Sequence, residues 1–425
     1  MLRWLYSLIF VLALPLVFIR VWWRARKEPR YAENAGERLG MVPQQKAGSV
    51  WIHAVSAGET IAASGLVRAL VAAGHTISLT NMTPAGRERA EALFADLLAS
   101  GQLTLFYAPY DVPFAVKLFL RRVRPKALFI IDTELWPNTI ALAAQFGLPV
   151  YLVNGRLSEK SAAGYGKLGK LATEMFSAIT MVFAQSEPQA QRFRGLGSPH
   201  VKTVGSVKFD AQPPADFDSR VANLRQRFSG KQVLLAASTH EGEEDVALDA
   251  FEQLLSESDS SSSKTVLVLA PRHIHRLQAV EAKLVYRHLV YQQHSKGEAL
   301  NDDTRVYLID TMGELIYFYG VSNSALVGGS LVDVGGHNPM EPGMLGKPMC
   351  MGPHRRNIAD IAGLFAEAGA LEAVANSNQL AHFWRRLAKE PELASAMSAA
   401  ALQVMAENRG ALQRVLDQTL PALEH

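Results

Sequence analysis

A glutamate three residues past a serine, at the end of an apolar run, is well placed to act as a general base. In His53-Ala-Val-Ser-Ala-Gly-Glu59 a strand should end near Val55, Ser56-Ala57-Gly58 should turn, and a helix should start around Glu59. Gly58 allows close backbone approach, and the amides of a helix start attract anions. Glu59 would then stand where it can take a proton from a substrate, or it simply complements the helix dipole. Asp132-Thr-Glu-Leu-Trp-Pro-Asn138 brings two carboxylates, an indole and an amide together directly after another apolar strand. Pro137 suits a first helical turn, so the alternative is a helix entry capped by Asp132. In Gly205-Ser-Val-Lys-Phe-Asp210, Lys208 either reaches an anionic substrate or is a solvated linker lysine.

The second half carries a different set. Small hydroxyls in Ser238-Thr-His-Glu-Gly-Glu-Glu244 could cradle phosphate or carboxylate oxygens at a helix entry. Pro271-Arg272-His273 and Asp310-Thr-Met-Gly-Glu314 each follow an apolar run. The most specific stretch runs from Gly328 through Gly335-Gly-His-Asn-Pro-Met-Glu341. Its glycines clear space for a ligand, and Pro339 opens a helix that carries Glu341, a carboxylate able to accept both hydroxyls of a ribose. A purely structural glycine turn is the alternative. His273 and His275 lack the partners of a metal site. No Walker loop, Gly-x-Ser-x-Gly elbow or Gly-x-Gly-x-x-Gly fingerprint is present, which disfavours P-loop hydrolysis and nicotinamide chemistry.

These residues need a scaffold that presents loops at strand ends. Short runs rich in Val, Ile, Leu and Phe recur at 50–55, 76–80, 103–107, 127–131, 150–153, 181–184 and 201–204, and again at 233–237, 266–270, 306–309, 325–327 and 348–351. Alternation with helical stretches implies βα units around parallel sheets covered on both faces. The polar, proline-containing stretch from Phe209 interrupts the pattern, and 256–263 reads as a serine-rich loop. The expected class is α/β, with two doubly wound, Rossmann-like domains facing across a cleft, an arrangement open to a glycosyltransferase, a sugar-nucleotide epimerase or a two-domain binding protein. The expected divisions are 1–30 (membrane anchor and basic flank), 31–208 (first domain), 209–230 (linker) and 231–425 (second domain), with the last helix able to pack back on the first domain.

The anchor rests on 16 residues without a charge from Trp4 to Ile19. At about 1.5 Å per residue they fall short of a hydrocarbon core of about 30 Å unless Val21, Trp22 and Trp23 are added, so the length leaves open both a spanning helix and one lying in a single leaflet. Arg20, Arg24, Arg26, Lys27 and Arg30 follow, with paired tryptophans suited to an interface, and place the rest of the chain on the cytoplasmic side. A core helix and a cleaved signal peptide are the alternatives, the latter without a small-residue cleavage site. Charge is nearly balanced, 43 basic against 40 acidic residues, which argues against a dedicated nucleic-acid binder. The single cysteine, Cys350, closes no intrachain disulfide.

The sequence resembles the 3-deoxy-D-manno-octulosonic acid (Kdo) transferases of lipopolysaccharide assembly over nearly its whole length. The resemblance lies in Gly36-Glu-Arg38, Ser56-Ala-Gly-Glu59, Asn81-Met-Thr-Pro84, Thr133-Glu-Leu-Trp-Pro-Asn138, Arg156-Leu-Ser158, Ser161-Ala-Ala-Gly-Tyr165, Ser238-Thr-His-Glu-Gly-Glu243 and Gly335-Gly-His-Asn-Pro339, in that order. It implies a GT-B-like enzyme, with an acceptor-binding domain over 31–208 and a CMP-sugar-binding domain over 231–425, that moves Kdo from CMP-Kdo to a hydroxyl of the tetraacylated lipid A precursor with inversion and without a metal or other cofactor. It further implies that Glu59 is the base and that Asp132 and Lys208 stabilise the transition state. Pro271 and Arg272, Met312, Gly313 and Glu314, and Asn338, Pro339, Met340 and Glu341 match its CMP-binding segments. The pattern departs at Asp132, where most members are expected to carry a glutamate. Another nucleotide sugar, or an inactive nucleotide-binding scaffold at the membrane, would be the competing outcomes.

Overall fold

The computed structural model describes residues 2–26, 28–256, 264–297 and 300–424. The residues 257–263 of the serine-rich stretch, and Lys27 of the basic flank, lie outside them. The chain forms two compact units, one of residues 1–211 with 408–425 and the other of 212–407.

The first unit is built on a seven-stranded parallel sheet of order β3-β2-β1-β4-β5-β6-β7. Its strands are β1 (Val50–His53), β2 (Ile77–Asn81), β3 (Leu103–Tyr107), β4 (Ala127–Ile131), β5 (Val150–Gly155), β6 (Met181–Ala184) and β7 (Val201–Thr203). The register is in step across the centre, with Val50 beside both Ile77 and Ala127. Both faces are covered, so alternate residues of one strand enter different cores. Val50 and Ile52 join Leu66, Leu70 and Phe129, while Trp51 joins Phe119 and Ile130. Near-continuous apolar strands are what such double burial requires. The chain order reverses between β1 and β4, which leaves a crevice at their carboxyl ends.

The helix Ala411–Leu423 belongs to this unit, and its Ala411, Val415 and Leu416 enter the same core as Leu66. Asp210 caps it, accepting from the Gly410 and Leu412 amides at 2.6 and 2.7 Å. The N-terminal helix Leu2–Ala25 also packs here, through Phe10, Leu14, Val17 and Phe18 against Tyr110, Val112 and Ala115. Among the described residues it alone is long and apolar enough to cross a membrane by length and composition, with a mean hydropathy of 2.2.

The second unit repeats the design with order β10-β11-β9-β8-β12-β13-β14. Its strands are β8 (Gln232–Thr239), β9 (Thr265–Pro271), β10 (Tyr291–Gln293), β11 (Val306–Leu308), β12 (Ser324–Val327), β13 (Met349–Met351) and β14 (Leu371–Ala373). The order reverses between β8 and β12. Within the stretch read as a linker, Phe217–Arg227 is a helix whose Val221 and Leu224 enter the core beneath this sheet. It packs so closely on Gly320 that a Cβ there would meet Val221 at 2.5 Å.

Candidate active site

At the carboxyl end of β1, Ser56 caps the helix Ala57–Ala72, its Oγ accepting from the Glu59 amide at 3.3 Å. Glu59 reaches back. Its Oε1 accepts from the Ser56 hydroxyl and its Oε2 from the Val55 amide, both at 2.7 Å. The contacts are a variant of the capping box, in which the amide bound by the glutamate is that of Val55, one residue ahead of the cap. The side chain is nonetheless buried, and burial pushes its pKa up to about 7. The hydrogen bonds from Ser56 and Val55 oppose that rise, and the charges of Glu134 and Asp132 add to it. Glu59 is therefore both a cap and a carboxylate poised to exchange a proton near neutral pH.

Asp132 follows β4 in the left-handed region (φ 59°), and Asn154, the penultimate residue of β5, has the same conformation (φ 62°). The Asn154 amide donates to Asp132 Oδ1, and its own Oδ1 accepts from Ser206 Oγ at 2.9 Å and the Val207 amide at 3.3 Å. Lys208, on the short turn Val207–Asp210, brings Nζ to 3.6 Å from Asp132 Oδ2. A carboxylate and a cation are thus fixed side by side next to Glu59. Their side chains keep 28% and 30% exposure, which leaves both within reach of a ligand. Above them Trp136 donates to Glu134 at 2.9 Å and lies edge-on to His53, ring centroids 5.1 Å apart. His53 itself is buried against Thr80, and burial lowers its pKa to about 4, so it stays neutral.

Asp132 does not cap the helix Pro137–Gln145. Asp111 does, from a separate loop, accepting from the Asn138 amide at 3.0 Å and from the Thr139 amide and hydroxyl at 2.7 Å. Burial raises the pKa of Asp111 despite those bonds.

In the second unit the candidate residues lie at the ends of β8, β9, β11 and β12. Glu243 is fully buried and organises the glycine loop, accepting from the amides of His240 (2.9 Å), Gly329 (2.6 Å), Ser330 (2.9 Å) and Leu331 (2.8 Å). Gly328 has no room for a side chain, since a Cβ would fall 2.5 Å from the Ser238 carbonyl. His337 and His240 stack with their Nε2 atoms 2.8 Å apart. Burial lowers the pKa of His337 to about 4, assisted by His240 and Arg272, so the pair shares one N–H between neutral rings. Arg272 is exposed beside them, its amide bound to the Thr239 carbonyl at 2.9 Å. Asn338 and Glu341 are exposed, while Pro339 and Met340 are buried beneath them.

Met312 is exposed after β11, and Gly313 turns with φ 83°. Glu314 is engaged within the unit by Arg220 and Thr311 and by His294 at 3.1 Å. Burial works to raise its pKa, but those partners hold it below the usual carboxylate range. Arg220, His294 and Glu314 line a pocket of about 160 Å³ with Tyr317 and Phe318.

The profile of the 3-deoxy-D-manno-octulosonic-acid transferase (kdotransferase) family matches residues 33–211. The 3-deoxy-D-manno-octulosonic acid transferase of Haemophilus influenzae is 35% identical over 434 residues, covering 99% of both chains. That of Bordetella pertussis is 34% identical, covering 98% of both. The chain belongs to the Kdo transferase family. It is a glycosyltransferase, and its two doubly wound units are GT-B-like. A UDP-GlcNAc 2-epimerase of Neisseria meningitidis, solved bound to UDP-GlcNAc, shares this fold with a TM-score of 0.59 at 13% identity, over 88% of this chain and 100% of that one.

Within this transferase, Asp132 and Lys208 meet directly and Glu59 feels the Asp132 charge, while Arg272 and the turn carrying Asn338 sit around the His240–His337 pair. Glu314 is held by partners of its own. Three residues that organise these sites carried no assigned task in the sequence: Asn154, Asp111 and Glu243. An Asn-Gly pair closing an apolar strand was the available signal for Asn154. Asp111 had none, because its partners lie 27 and 28 residues away.

Proposed function

We propose that this transferase moves Kdo from CMP-Kdo to a hydroxyl of the tetraacylated lipid A precursor, with inversion, at the cytoplasmic face of a bacterial inner membrane during lipopolysaccharide synthesis. The observation that carries the proposal is the Glu59 carboxylate, buried and near neutral in pKa, beside the Asp132–Lys208 pair. Glu59 takes the proton of the acceptor hydroxyl. The freed oxygen attacks the anomeric carbon of Kdo, and the bond from that carbon to the phosphate oxygen breaks, leaving its electron pair on CMP. Lys208, oriented by Asp132, offsets charge that develops as the bond breaks.

The nucleotide is held by the second unit. Arg272 meets the phosphate, Glu341 accepts from the ribose hydroxyls, and the Pro271, Met312–Glu314 and Asn338–Met340 segments shape the pocket. Side-chain cations supply the positive charge in this scheme, so the reaction proceeds without a metal or other cofactor. An apolar N-terminal helix with a basic flank suits an acceptor that is itself a phosphorylated lipid.

The test is product mass. Detergent-purified protein is incubated with the lipid A precursor and CMP-Kdo generated during the assay. A gain of one or more Kdo units is expected. No gain from folded protein that binds CMP would overturn the acceptor assignment.

A further inference from the structure

The N-terminal helix Leu2–Ala25 is not free of the first unit. Residues 3, 7, 10, 14, 17 and 21 are shielded in a 3.5-residue rhythm that runs along the whole helix, as in a helix laid lengthwise on a partner. The contacts are polar at one end and apolar in the middle. Ser7 Oγ lies 3.1 Å from Asn138 Oδ1, and Tyr6 bonds to Asp111. Phe18 packs edge-on to Tyr110 at 5.9 Å, with Leu14 buried beside Val112 and Ala115.

That docking conflicts with a helix standing across a bilayer. If Arg20 and Arg24 marked the headgroups, Ser7 would lie about 20 Å deeper, 13 residues at about 1.5 Å each and beyond the midplane of a core about 30 Å thick. Asn138 and Asp111 would be carried to that depth with it, together with the loop that holds Glu134 and Trp136. The helix Lys170–Ser177, which also packs on the N-terminal helix, would take the exposed Lys170 and Glu174 into hydrocarbon. Such groups are costly and rare in a lipid-facing position.

The unshielded side gives the alternative. Trp4, Leu5, Leu12, Leu16 and Trp23 are 54–72% exposed on one helix, with Arg20, Arg24 and Arg26 at its end. A continuous apolar strip with interfacial tryptophan and a cationic end fits a leaflet of anionic phospholipid. We propose that the helix lies in the plane of one leaflet and does not cross the bilayer. Its Leu2 end is then on the same side of the membrane as the first unit, and the Ser7–Asn138 contact holds the 132–138 loop at the lipid surface, where an acceptor's head group would meet Glu59. This rests on the membrane association argued above.

The protein's cysteine content makes the test direct. Cys350 is its only cysteine and is fully buried, so an introduced thiol is the one a membrane-impermeant maleimide reaches. One variant carries a cysteine on a Gly-Ser-Gly spacer ahead of Met1, and the other is Glu424→Cys, an exposed position of the first unit. Both are expected to react in inverted membrane vesicles and to stay unreacted in intact spheroplasts. Reaction of the leading cysteine in spheroplasts, with the Glu424→Cys variant reacting only in inverted vesicles, would show a spanning helix and overturn the inference. Recovery of both variants in the soluble fraction would overturn the membrane association beneath it.

Discussion

Glu59→Gln separates the two tasks of this side chain. Glutamine keeps an oxygen for the Val55 amide and can donate to Ser56 Oγ, so the turn is retained, but it cannot take a proton from an acceptor. In the native protein the raised pKa has a stability cost. The rise from 4.5 to about 7 corresponds to about 3 kcal/mol at about 1.4 kcal/mol per pH unit. Because the folded value lies above the unfolded one, the associated stability is present in full below pH 4.5 and is lost as pH rises through about 7. The wild type should therefore lose up to about 3 kcal/mol against Glu59→Gln between about pH 5 and pH 8. Transfer runs the other way. The wild-type rate should climb through about pH 7 to a plateau, about tenfold lower at pH 6, while Glu59→Gln falls by roughly 10²–10⁴ on that plateau and loses the rise with pH. Urea unfolding at the two pH values and initial rates read by product mass check both halves. The reasoning fails if Glu59→Gln transfers within a few fold of wild type. It also fails if the variant is less stable than wild type by about 2 kcal/mol at pH 8, for then the carboxylate is needed only as a cap.

Asn154→Ala removes the donor to Asp132 and the acceptor of Ser206 and Val207; a stability loss of about 1–3 kcal/mol and a transfer rate at least about tenfold lower are expected, with CMP affinity by calorimetry unchanged. Glu243→Ala strips the acceptor from four amides, three of them in the glycine loop, and at about 1–3 kcal/mol per orphaned buried donor it should abolish CMP binding and lower the melting temperature by many degrees. Gly328→Ala forces a Cβ against the Ser238 and Ala237 carbonyls at 2.5 and 2.8 Å; backbone cannot yield as a side chain does, so a loss of about 1–3 kcal/mol and weaker CMP binding should follow, measured by the same calorimetry.

The elements readable from the sequence were those whose own composition carried the signal. Strands buried on both faces show as apolar runs, and the central strands of both sheets appear at or within two residues of the expected runs. The edge strands β10, Tyr291-Gln-Gln293, and β14, Leu371-Glu-Ala373, carry too few apolar residues to stand out. Phe217, Val221, Leu224 and Phe228 do recur at helical spacing, but the prolines and acids ahead of them gave the stretch the look of a linker. Capping was not legible: the local candidate offered by the sequence, Asp132, does not cap the helix that follows it, and Asp111 serves that helix from 26 residues upstream.

Glu59 shows where spacing stops being informative. A capping box and a general base at a helix entry need the same residue at the same offset, so the motif fits both. What separates them is how much water the fold removes, and that depends on β4, on the 132–138 loop and on two neighbouring carboxylates, none of them adjacent to Glu59 in sequence. An exposed capping glutamate would titrate near 4.5 and be a weak base at neutral pH. The same glutamate, desolvated and placed in the field of Asp132 and Glu134, titrates near 7 and retains its hydrogen bonds. Its position is a local property of the chain, and its reactivity is a property of the tertiary structure around it.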